Sequence, residues 1–110
     1  MKFLFLLYVR PEIRDDPDSL PGLEKWMAYG RELSEAGVHL GNNALEGLDT
    51  ATTVRVRDGE TLVTDGPFAE TKEMLGGYYL VDLPNREAAI EWAARVPSAP
   101  YGSIEIRPTL

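Results

Sequence analysis

The chain of 110 residues contains no cysteine and a single histidine, His39. The first absence excludes disulfides, thiolate metal ligands and a cysteine nucleophile. The second removes histidine clusters and with them a zinc site of ordinary ligand type, so no metal or cofactor is expected. No apolar run approaches the roughly 20 residues that span a bilayer. The run that opens the chain, Phe3 to Val9, sits at the bottom of the signal-peptide range, and Arg10-Pro11-Glu12 stands where a small-residue cleavage site would be. Positive charge is also scarce. Eleven Lys and Arg against 18 Asp and Glu leave a net charge of −7, which disfavours phosphate backbones and excludes nucleic acid as the expected partner. No Walker-type loop, Gly-x-Gly-x-x-Gly or Gly-x-Ser-x-Gly elbow is present. These absences leave a cytoplasmic protein of one domain, residues 1–110, as the expectation.

What is present reads as alternating strands and helices. Phe3, Phe5, Leu7 and Val9 lie on one side of a first strand, and Leu4, Leu6 and Tyr8 on the other. Both sides are apolar, so both need cover. Pro11 to Pro17 reads as an acidic loop. Ser19 and Pro21 mark a helix start, with Leu23, Trp26, Met27, Gly30 and Leu33 as its inner face and Gly37 as its stop. Val38 to Leu45 is a short extended stretch. Thr50 to Arg57 alternates, and Asp58-Gly59 before Thr61-Leu62-Val63 predicts a hairpin with a type I′ turn. Tyr78 to Leu83 is a further strand. Asn85 caps a second helix with Ala89, Trp92, Ala93 and Val96 inward, and Gly102 to Arg107 closes the chain as a last strand.

The order β-α-β-β-α-β with an extra β-hairpin predicts an α+β, ferredoxin-like fold. Two helices cover one face of such a sheet. The other face stays apolar and open, which points to a homodimer with a cavity between facing sheets.

Chemistry-bearing residues concentrate between Thr64 and Glu73. Asp65-Gly66-Pro67 is a turn former, and Phe68 is a large apolar residue in a polar loop, expected to anchor it to the body. Asp65 is a candidate general acid or base. Glu70 and Lys72 are candidate ligand contacts, or else a solvated ion pair in a rigid connector. His39 is a candidate proton shuttle beside the alternative of a structural histidine. Tyr8, Arg10 and Tyr78, with Arg55 and Arg57, are candidates to line a cavity and hold a carboxylate. Trp26 and Trp92 read as core.

The segment Asp65-Gly66-Pro67-Phe68-Ala69-Glu70-Thr71-Lys72-Glu73 resembles the signature of the DGPF proteins, a branch of the YCII-related family. The opening Met1 to Tyr8, Thr52-Thr53-Val54-Arg55, Gly76-Gly77-Tyr78-Tyr79 and Ile104-Glu105-Ile106-Arg107-Pro108 extend the likeness over nearly the whole chain. The resemblance implies a dimeric α+β barrel. It also implies an active-site pair, proposed for the YCII branch, of an aspartate and a histidine near the start of the first helix. Here Leu23-Glu24-Lys25 occupy that region, so the histidine does not carry over, and Asp65 is the residue matched to the aspartate. Genes for DGPF proteins accompany extracytoplasmic-function sigma factors, which implies a regulatory context. Two functions follow as expectations. One is a small-molecule-binding dimer, with Asp65 and His39 for acid–base work and Tyr8, Arg10, Pro67, Phe68, Glu70, Lys72 and Tyr78 as contacts. The other is a non-catalytic module linked to a sigma factor.

Overall fold

The first strand, β1 (Lys2–Val9), lies in the middle of a four-stranded antiparallel sheet in the computed structural model, which describes residues 1–110. It pairs on one side with β5 (Met74–Asp82) and on the other with β6 (Ser103–Pro108). The strand β2 (His39–Ala44) adds to the far edge of β5, giving the order β2-β5-β1-β6. Two helices, α2 (Leu23–Glu35) and α3 (Arg86–Ala94), contribute the buried residues that meet one face of this sheet. The architecture is α+β and compatible with a ferredoxin-like fold.

Alternation along β1 divides the side chains as expected. Phe3, Phe5, Leu7 and Val9 are buried under the helices, while Leu4, Leu6 and Tyr8 are half-buried on the other face. Cross-strand pairing puts Leu80 beside Leu4, Tyr78 beside Leu6 and Leu75 beside Tyr8. An apolar band thus runs down the centre of the face that no helix covers, flanked by Glu105 and Arg107 of β6.

Helix α2 corrects the expected inner face. Leu23 and Met27 are exposed, and the buried residues are Tyr29 and Leu33. The inward stripe is Trp26, Tyr29 and Leu33, a helical spacing rotated from the predicted one. Tyr29 turns inward because its polar end finds a partner: its hydroxyl donates to the Trp92 carbonyl at 2.9 Å. Its ring meets Tyr79 edge-on at 5.3 Å. Gly37, at φ 71°, takes the left-handed conformation that stops the helix. In α3 the Asn85 side chain accepts from the Ala88 N–H at 2.9 Å, and Ala89 and Ala93 are buried as predicted.

The segment expected as a plain loop after β1 contains a short helix, α1 (Pro11–Arg14). Proline supplies a pre-set first helical residue, and the Arg10 carbonyl accepts from Ile13 and Arg14.

The hairpin stands apart. β3 (Thr52–Arg57) and β4 (Glu60–Asp65) pair only with each other. Asp58 and Gly59 have φ of 52° and 78°, the positive values that a type I′ turn needs. Val54 faces Val63 across the ribbon, yet each is at least 60% exposed. No helix is long and apolar enough to cross a membrane.

Candidate functional site

The helix-covered face has a gap in its packing where β5 begins. Leu7, Gly77 and Tyr79 point toward the helices there, and Gly77 brings no side chain. Gly76 is the extra residue at a register shift opposite Leu7 and Tyr8, a bulge of the kind that re-aims neighbouring side chains. Glycine at 77 also lets β2 close on β5, since a Cβ there would stand 2.9 Å from the Asn43 carbonyl oxygen.

Above this bare floor lies a cavity of about 550 Å³. Leu7, Val9 and Tyr79 form its sheet side, and Leu20, Leu23 and Trp26 its helix side. Volume and lining match the usual small-molecule site, mostly apolar with few polar groups. Those polar groups are Arg14, Asn42, Asn43 and Ser98.

Each is held by local structure. The turn of α1 brings Arg14 over the cavity, with its side chain 26% exposed. One terminal nitrogen donates to the Leu45 carbonyl at 2.7 Å. The other reaches the exposed Asp15 carboxylate at 3.4 Å, a long contact of small worth in water. The remaining guanidinium N–H groups make no bond within the chain. Ser98, in the turn after α3, is 6% exposed. Its carbonyl accepts from the Tyr101 N–H, and its hydroxyl keeps access to solvent, since no buried side-chain polar atom is left without a partner. Asn42 holds His39: its side-chain oxygen lies 2.9 Å from Nε2. The His39 ring is half-buried, with its centroid 6.4 Å from that of Tyr79. Burial pushes the Tyr29 hydroxyl well above the ordinary tyrosine range and raises that of Tyr79. Both hydroxyls therefore stay neutral at ordinary pH.

The residues singled out in the sequence divide into two groups. Tyr8 and Tyr78 border the cavity, although alternation aims their side chains at the uncovered face. There the Asn43 side-chain N–H donates to the Tyr78 hydroxyl at 2.8 Å. His39 reaches the cavity rim through Asn42. The others lie elsewhere. Arg10 is exposed at the start of α1. Asp65 ends β4, paired with Thr52, on a different sheet from His39. Pro67, Phe68, Glu70 and Lys72 are exposed, and Glu70 and Lys72 form no ion pair with each other.

The expected anchor role of Phe68 is overturned: the side chain is 78% exposed. The loop is fastened instead by backbone and small polar groups. Gly66 N–H donates to the Ala51 carbonyl at 2.7 Å, the Thr53 hydroxyl donates to the Gly66 carbonyl, and Ser103 donates to Glu73 at 3.3 Å. Sequence reasoning missed Arg14, Asn42 and Ser98. Arg14 carried one signal, as the only cation in an otherwise acidic stretch from Pro11 to Asp18. Ser98 carried none.

The model of the YCII-related domain matches residues 1–110. The chain belongs to the YCII-related family. An uncharacterized protein of Rhizobium meliloti (strain 1021) is similar to it, 48% identical over 60 residues. That match covers 53% of this chain and 48% of the relative, so the chain spans about half the length of the curated protein it matches. Family membership by itself names no reaction.

Proposed function

We propose that this YCII-related protein binds a small organic molecule in the cavity between α1, the start of α2 and the glycine floor of β5. One observation carries the reading: the chain forms a half-open cavity of about 550 Å³ whose lining is mostly apolar and whose one charged side chain is Arg14. Apolar walls left facing water are unfavourable, and an apolar occupant covers them. Small-molecule thermal shift tests this, with Ala44→Trp as the cavity-filling variant, since Ala44 lines the mouth from an exposed edge strand. Compounds that raise the melting temperature of the parent chain should lose their effect in Ala44→Trp and keep it in Asp65→Asn. Equal loss in Asp65→Asn would return the site to the Asp65 loop.

The same reading includes a homodimer of the DGPF type. The uncovered face carries its apolar band, and the β3–β4 arm exposes Val54, Val56 and Val63. An isolated two-stranded ribbon is marginal in water. One second copy, placed sheet to sheet, covers both surfaces and encloses Asp65, Glu70 and Lys72 between subunits. Acid–base work by Asp65 belongs to that assembled state. Light scattering should give twice the chain mass at micromolar concentration, and Val54→Lys with Val63→Lys should halve it. A parent chain that is strictly monomeric would remove the dimer, and a sigma factor pull-down would then test the adaptor alternative.

A further inference from the structure

The polar groups of the cavity narrow what can occupy it. We infer that the ligand is an amphipathic carboxylate, anchored by Arg14 with the Ser98 hydroxyl as a further polar contact, and with an apolar body against Trp26 and Tyr79. The inference rests on the cavity being the ligand site and adds the chemical class.

The charge argument is local. The protein is acidic overall, with a net charge of −7, so binding an anion calls for a cation at the site. Among the cavity-lining side chains only Arg14 carries a full positive charge, and none carries a negative one. Its one carboxylate contact is the long one to Asp15, whose side chain is 71% exposed and free to swing into water. The bond from Nη2 to the Leu45 carbonyl fixes the guanidinium plane in advance. A planar, pre-positioned guanidinium with spare N–H groups suits the two oxygens of a carboxylate.

The body of the ligand follows from the walls. Trp26 and Tyr79 offer aromatic surface, and Leu7, Val9 and Leu23 aliphatic surface. A small polar anion such as acetate or phosphate would satisfy Arg14 and leave these walls uncovered. An apolar neutral molecule would cover the walls and leave the Arg14 charge unanswered. An arylalkanoate does both.

Isothermal titration separates the inference from the reading beneath it. The probes are 4-phenylbutanoate, its neutral amide 4-phenylbutanamide, and inorganic phosphate. In the parent chain the carboxylate should bind roughly tenfold or more tightly than the amide, the typical worth of a charge-assisted pair, and more tightly than phosphate. Arg14→Met should erase the difference between carboxylate and amide while leaving amide binding in place. Ser98→Ala should weaken both probes by a smaller factor. Equal affinity for carboxylate and amide in the parent chain overturns the carboxylate class and leaves the cavity standing. Tightest binding of phosphate overturns the amphipathic class. Failure of all three probes to bind removes the cavity reading with the inference. The comparison of probes on the parent chain needs no variant to fold.

Discussion

The cavity under α2 and the Asp65–Glu73 loop differ in what creates them. The loop is rich in chemistry-bearing side chains, yet they stand in solvent, with Phe68 78% exposed. The cavity is bare of charge apart from Arg14 and forms where six separate segments of the chain converge, with Gly77 letting β2 close on β5 at its floor. A conspicuous motif shows where unusual residues cluster. Enclosure decides where a small molecule can displace water from a surface, and it depends on long-range packing. The two regions share one border, where Tyr8 meets both the cavity and the shallow, acidic depression at Glu73 and Glu105.

The largest expected contrast comes from truncating one aromatic in each region. Tyr79→Ala removes a core ring that also walls the cavity, and should cost about 3–5 kcal/mol in urea unfolding. Phe68→Ala should change stability by about 0.5 kcal/mol or less in a monomeric background. A large cost for Phe68 in the dimer alone would place that ring at the subunit interface.

A smaller contrast comes from the glycines. Gly77→Ala meets the Asn43 carbonyl at 2.9 Å, where backbone must move, and should cost about 1–3 kcal/mol by overpacking. Gly66, at φ 99°, meets nothing. Gly66→Ala should cost about 1 kcal/mol through backbone strain alone and leave probe affinity unchanged. Loss of probe binding in Gly66→Ala would break the separation of the two regions.

The smallest effect is a pH dependence on the covered side. Burial raises the Tyr29 hydroxyl from an ordinary value near 10.0. The folded state therefore keeps a proton that the unfolded state gives up. The stabilisation from neutral Tyr29 is complete below pH 10 and declines as pH rises through and above that value. Tyr29→Phe should flatten the alkaline decline in melting temperature, at the cost of the hydrogen bond to Trp92. An unchanged alkaline slope would mean that Tyr29 is hydrated in solution.

Much of the fold was legible because local signals agreed with the packing. Alternation in Phe3 to Val9, the Asp58-Gly59 turn, the Gly37 stop and the Asn85 cap are each written in adjacent residues. The face of α2 was less legible. Leu23, Met27 and Leu33 make a plausible apolar stripe, and only the Trp92 carbonyl, 63 positions away, makes Tyr29 the better inward residue. The cavity was legible at Tyr8 and Tyr78, which line its border, and illegible at Arg14 and Ser98. Those two are joined only by the sheet beneath them, and no spacing along the chain records that.

The most direct measurement is an amide chemical-shift titration with 4-phenylbutanoate. The account predicts that perturbations cluster at Arg14, Leu45, Gly76, Gly77 and Ser98, with Asp65 to Lys72 unmoved. Perturbations centred on Asp65 to Lys72, with the cavity amides unmoved, would contradict it and make the loop the binding site.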